Sequence, residues 1–162
     1  DRIKIIDDFE GEGKKIKEYI DIVNLKPYKY GAHYAPHDSD QRTLQTGMDL
    51  ISFCLVEYGF RFEHVQRTSS KQSNIFLLRS LFHRLYMHKD NAKRAIECIT
   101  SYHEKMDKNG VRSGSPEHDW SSDMSDTMLL MALAVQMKLI RNILNRRSNR
   151  MQSEVEPAGS LI

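Results

Sequence analysis

From Ser121 to Ile140 the chain reads SSDMSDTMLLMALAVQMKLI, and this stretch limits the fold more than any other. It is the most apolar helical segment of the chain, so other structure must cover it. Its apolar run, Met128–Val135, is far too short to span a membrane. The expectation is a helix buried against a sheet. Its polar opening is equally informative. Ser121 or Ser122 suits an N-cap. Asp123 and Asp126 are three apart and so share one helical face, in the first turn.

The rest of the chain alternates strand and helix patterns. RIKIIDDFE, from Arg2 to Glu10, is rich in β-branched residues and reads as a strand with Asp7 and Asp8 at its exit. Ile16, Tyr19, Ile20 and Val23 recur at helical spacing until Pro27 stops them. A short strand from Gly31 to Ala35 ends at Pro36-His37-Asp38. TGMDLISFCLVEYG reads as a helix closed by Gly59, and FRFEHVQR as a short strand. A helix beginning at Ser70 or Ser73 is predicted to run on through Leu85. DNAKRAIECITSYHEKM is another helix, capped by Asp90 or Asn91. Asn109-Gly110 signals a hairpin turn. This order indicates a layered α/β fold that is short of strands.

The totals exclude little. With 162 residues, 40% hydrophobic and 28% charged, the chain suits one domain with a real core. The net charge of +2 names no partner. Cys54 and Cys98 sit in apolar helical contexts without a CxxC pair, so free buried thiols are expected rather than a disulfide or zinc. Residues 1–139 are expected to form the domain. The segment 140–162 is expected to be a basic extension carrying Arg141, Arg146, Arg147 and Arg150, with a frayed end.

There is no P-loop, GxGxxG, GxSxG or HExxH motif. What remains is carboxylates at element ends. Asp38 projects just past a strand, where open α/β sheets gather functional groups; an ordinary turn aspartate would look the same. Asp123 and Asp126 at a helix start are favoured as ionised carboxylates, the form a hard cation needs; simple capping is the competing reading. His118 and Asp119 precede that helix, and Trp120 reads most simply as a core residue. Together these acids suggest a two-metal phosphodiester site, in which two cations about 4 Å apart activate water and stabilise the leaving oxygen.

Two stretches, YKYGAHYAPHDSDQRTLQTG and SYHEKMDKNGVRSGSPEHDWSSDMSDTMLLMALA, together resemble the nuclease domain of tailed-bacteriophage terminase large subunits. The resemblance covers roughly Arg2 to Ala134. It rests on the Pro-His-Asp corner and the His-Asp-Trp-Ser-Ser segment in that order. It implies an RNase H-like mixed sheet flanked by helices and a Mg²⁺- or Mn²⁺-dependent endonuclease using two ions. Asp38 then matches the second acid and Asp126 the acid of the last helix. Asp123 is an additional metal ligand, and Asp119 the alternative for the last acid. The sequence departs from the family in two places. TMLLMALA replaces the usual residues after the last acid, and the first acid, on a strand, has no good match in Asp1–Glu10. The expectation is a chain lacking its first catalytic strand and an upstream ATPase motor, inactive alone or active only with the missing piece.

The same resemblance implies double-stranded DNA as substrate. It also implies the terminase ATPase domain, the small terminase subunit and the portal protein as partners, in the cytoplasm of an infected bacterium. Arg42, Arg67, Lys71, Lys108 and Arg112 are the candidate phosphate contacts, which would position DNA without reading its sequence. A non-catalytic module docking on DNA or the motor is the competing reading. Another RNase H-like nuclease, such as a resolvase, is a third.

Overall fold

The computed structural model describes residues 2–42, 47–66, 68 and 70–155; past residue 138 it describes the backbone alone, apart from Asn142. The architecture is mixed α/β, with five α-helices and three two-stranded sheets among the described residues. In chain order these are β1 (Ile3–Ile5), α1 (Ile16–Leu25), β2 (His33–Ala35), α2 (Leu50–Tyr58), β3 (Phe62–His64), α3 (Lys71–Leu81), β4 (Leu85–Met87), α4 (Lys93–Ser101), β5 (Glu104–Met106), β6 (Arg112–Pro116) and α5 (Ser122–Val155). A 3-10 turn, His37–Asp40, follows β2. No helix among the described residues is long and apolar enough to cross a membrane.

Two of the sheets are parallel pairs. β1 lies beside β4 with Ile3 opposite Leu85 and Ile5 opposite Met87. β2 lies beside β3 with His33 opposite Phe62 and Ala35 opposite His64. A parallel pair needs a crossover, and α2 supplies it between β2 and β3. Gly59 ends α2 in the left-handed region, at φ 63°, as the sequence indicates. β5 and β6 form the antiparallel hairpin announced by Asn109-Gly110; Gly110 turns at φ 78°.

Each parallel pair carries its own core. Leu78, Ala95, Cys98, Met124, Met128, Leu129 and Ala132 bury α3, α4 and α5 together, with Ile5, Leu85 and Met87 of the first pair packed against them. Ile20, Cys54 and Phe60 join α1 and α2 to Phe62 of the second pair. Both cysteines are free and fully buried, as expected. Burial pushes both thiols up from their ordinary pKa.

Four expectations need correction. The helix predicted through Leu85 stops at Leu81, and Leu85–Met87 becomes a strand. Leu78, Leu81 and Leu85 keep helical spacing, but a pairing partner 82 positions away, Ile3, outweighs local period. α4 ends at Ser101 because Glu104–Met106 pairs with β6. Neither Asp90 nor Asn91 caps α4. Its N-cap is Ala92, which lends no side-chain bond, and the Ala95 amide donates instead to Asp8 Oδ2 at 2.7 Å. Trp120 is not in the core. It is 53% exposed, with the Arg94 guanidinium 4.9 Å above its ring.

The helix α5 runs on through residue 140 without a break in the backbone. The proposed boundary between 139 and 140 therefore coincides with no end of secondary structure.

Candidate metal-binding cleft

The cleft is built where the β2–β3 pair ends and α5 begins. β2 stops because Pro36 removes a backbone donor and sets the corner. The next four residues curl into the 3-10 turn, with the Ser39 amide bonded to Pro36 O at 3.0 Å. Ser39 is buried while Asp38 stays exposed, so the turn is anchored by one neighbour and presents the other. His64, at the end of β3, reaches the same turn. Its Nε2 lies 3.2 Å from His37 O and 3.6 Å from Asp40 Oδ2.

Across the cleft, the start of α5 is held by a compact polar turn. Asp119 Oδ1 accepts from the Ser121 amide at 2.9 Å and the Ser121 hydroxyl at 2.6 Å. The Ser122 hydroxyl accepts from the Asp119 amide at 2.9 Å and donates to Glu117 O at 3.2 Å. The Ser121 hydroxyl and amide hold the Asp119 carboxyl below its ordinary pKa. Asp119 is thus committed to the turn and does not line the cleft. Ser121, Ser122 and Ser125 are buried, and the intervening Asp123 and the following Asp126 are exposed. Helical spacing alone produces this division: one face enters the core and the acids take the other.

Asp38, Asp123 and Asp126 all line one cleft of about 500 Å³. Its far wall is polar, made by Gln66, Thr68, Ser70, Lys71 and Asn74 at the entry to α3. Ser70 caps α3 by accepting from the Ser73 amide at 3.1 Å, and Thr68 donates to Asn74 Oδ1 at 2.8 Å. These bonds fix the position from which Lys71 extends.

Lys71 Nζ sits 2.9 Å from each oxygen of the Asp126 carboxylate. Tyr102 completes the group: its hydroxyl lies 3.4 Å from Asp126 Oδ1, and its ring centroid 5.9 Å from the ammonium. Partial burial pulls the Lys71 pKa down, but its hydrogen bonds to Asp126 and Tyr102 outweigh this and hold it above the ordinary lysine value. Asp38 and Asp123 carboxylates have no hydrogen-bond or ion-pair partner among the described residues. No three His, Cys, Asp or Glu side chains among the described residues are gathered closely enough to hold a metal as they stand. The three acids share the cleft without converging on one point.

Carboxylates are the ligand type a hard cation takes, but these three are too dispersed as they stand to form a metal site. Three carboxylates supply oxygen ligands of the kind Mg²⁺ and Mn²⁺ take, and an ammonium already occupies one of them as a stand-in cation.

The remaining candidates are dispersed. Arg42 is exposed and bridges through its backbone to Asp49, outside the cleft lining. Lys108 and Arg112 are exposed on the β5–β6 hairpin and do not line the cleft. Arg67 lies outside the described residues. His118 is exposed and away from the cleft lining. The acids of the N-terminal strand are bound elsewhere: Asp7 pairs with Lys26 at 2.6 Å and accepts from Tyr28 at 3.1 Å, and Asp8 serves α4.

Sequence reasoning missed Tyr102 and the pairing of Lys71 with Asp126. One signal for Lys71 was present: a cation at the first position of a helix is electrostatically disfavoured, so such a lysine invites a search for its partner. Nothing in the spacing of Tyr102 marks it. No family model, curated protein or solved structure matches this chain.

Proposed function

We propose that this chain is a metal-dependent endonuclease domain of the terminase type, with an RNase H-like fold, that hydrolyses phosphodiester bonds of double-stranded DNA. The observation that supports this reading is that Asp38 and Asp126 both line one cleft of about 500 Å³. They are 88 positions apart and come from different elements. Had they lain on opposite sides of the β2–β3 pair, no shared chemistry would have been possible.

The roles follow from placement. Asp38 at the strand end and Asp126 on α5 would bind the cations, and Asp123 would assist beside Asp126. Mg²⁺ or Mn²⁺ bound there would lower the pKa of a water and stabilise the departing 3′-oxygen. The chain's own residues need supply no nucleophile. The Ser70 hydroxyl and the Asn74 amide nitrogen on the far wall offer neutral contacts to a phosphate backbone. The family's first acid has no match among the acids of this cleft. Packaging partners (a motor domain, a small subunit and a portal) belong to the same proposal, as does the cytoplasm of an infected bacterium.

The test is Mn²⁺-dependent cleavage of plasmid DNA by this chain and by an N-terminally extended form, each beside its Asp38→Asn and Asp126→Asn variants. Conversion of supercoiled to nicked or linear DNA, abolished in both variants, is expected. Cleavage that survives both substitutions, or retained DNA binding without cleavage in any form, would overturn it. The second result would favour a docking module.

A further inference from the structure

The last helix is far longer than the helices packed on it. α5 runs through 34 residues, whereas α3 has 11 and α4 has 9. At about 1.5 Å per residue, α5 is about 51 Å long, against about 17 Å and about 14 Å for its two neighbours. Among the described residues, the last buried one on α5 is Ala134. A helix that runs on past its core is marginal in water unless something covers an apolar face.

The sequence says which face. Leu130, Leu133, Met137, Ile140, Leu144 and Met151 follow one line of the helical backbone at intervals of three, four or seven. This is the spacing of a coiled-coil seam. Arg147 takes the place on that line where an apolar residue is due. The line begins at the cleft, which Leu130 and Leu133 help to line, both partly buried. Charge then points to the occupant. From Thr127 to Ser153 the sequence holds five cations and no acid. Arg141 and Arg150 take positions flanking the seam, where paired helices place their salt bridges.

We propose that α5 beyond Ala134 is a docking helix for an acidic amphipathic helix of another protein, laid along the Met137–Met151 line as a two-stranded coiled coil. The inference is independent of the nuclease reading, since it uses neither Asp38 nor Asp126. A second copy of this chain fits worse. Two parallel copies would bring Arg147 against Arg147, and neither has an acid between 127 and 153 to offset it. A helix that only gripped phosphates would need no apolar line. A membrane-surface helix favours Trp or Phe on its apolar face, and residues 137–155 include no aromatic residue. An acidic partner meets both demands at once. Its own seam covers the apolar line, and a carboxylate opposite Arg147 fixes the register, as single polar seam positions do.

The experiment uses the whole chain and a dye-labelled synthetic amphipathic peptide with Leu along its seam and Glu at the flanking positions. A second peptide carries Lys in place of every Glu. Binding is followed by fluorescence anisotropy. The wild type is expected to bind the Glu peptide and not the Lys peptide, with affinity falling as salt is raised. Ile140→Asn combined with Leu144→Asn is expected to weaken binding at least about tenfold, the loss typical of removing anchor residues from an interface. Arg147→Glu should weaken it as well. Both variants lie past the last buried residue of α5, and circular dichroism melts confirm that they fold. No binding of the Glu peptide, equal binding of the two peptides, or binding untouched by the Asn pair overturns the proposal. Sedimentation velocity, duplex DNA and phosphatidylserine vesicles then identify the occupant instead: a second copy, a nucleic acid or a lipid surface.

Discussion

Two pairs of aspartates sit at element ends in this protein. Asp7 and Asp8 leave β1, and Asp123 and Asp126 open α5. In the linear chain they look alike, since each pair follows or precedes an apolar element and each can be read as capping. In the folded chain they differ. Asp7 and Asp8 are consumed by their own protein, through Lys26, Tyr28 and the amide of Ala95. Asp123 has no partner among the described residues, and Asp126 has only the half-exposed Lys71 and a long contact to Tyr102. The lesson concerns what makes an acid available. A carboxylate that accepts a backbone amide at a helix start is structural; one at a cleft with only a half-exposed ion pair stays open to solvent.

The comparison breaks most completely if its common support is removed. Leu78 is 2% exposed and lies in the cluster that joins α3, α4 and α5, and so underlies both Asp8's helix and Lys71's. Leu78→Ala is expected to lower unfolding stability by about 2–5 kcal/mol, the usual cost of a buried large-to-small change. Urea denaturation measures it. Loss below about 1 kcal/mol would mean that the two regions are not held by one core.

A smaller change separates the two pairs. Asp8→Ala leaves the Ala95 amide unsatisfied at the start of α4, with an expected loss of about 1–2 kcal/mol, while Mn²⁺ affinity is unchanged. Asp126→Asn should do the reverse, with little effect on stability, since its ion pair with Lys71 is half-exposed, and, under the proposed function, loss of Mn²⁺ binding. A stability cost shared equally by both variants would erase the distinction.

The mildest effect sharpens the comparison through pH. The Lys26 ammonium holds the Asp7 carboxyl below its ordinary pKa of 3.8, against the opposing pull of burial and with help from Tyr28. The folded pKa is lower than the unfolded one, so this stabilisation is complete above about pH 4 and is lost as pH falls through the folded value. Asp7→Asn should therefore lower stability at neutral pH and reduce the loss seen on acidification. Denaturation series at pH 7 and pH 3 check this, and parallel curves for the two proteins would remove Asp7 from the acid response.

Much of the fold was legible because it is local. Gly59 and Gly110 turn where their flexibility is needed, Pro27 and Pro36 end elements, and the apolar face of α5 is buried as its composition requires. Legibility failed where a distant segment decided the outcome. Leu85–Met87 has helical spacing and becomes a strand only because Ile3–Ile5 lies beside it. Trp120 looked like core, but Arg94 covers its ring at the surface and also donates to Trp120 O at 3.1 Å. Of the phosphate contacts expected from the sequence, Lys71 reaches the cleft, and it does so bound to an acid.

By itself, then, the sequence determined the α/β alternation, the hairpin, the free buried thiols and the positions of three acids at element ends, because spacing and turn chemistry act within a few residues. Only the tertiary structure decided which acids remain available. That depends on which amide, hydroxyl or ammonium is brought within about 3 Å of each carboxylate, and segments as far apart as Asp8 and Ala95, or Lys71 and Asp126, meet only once the cores have formed.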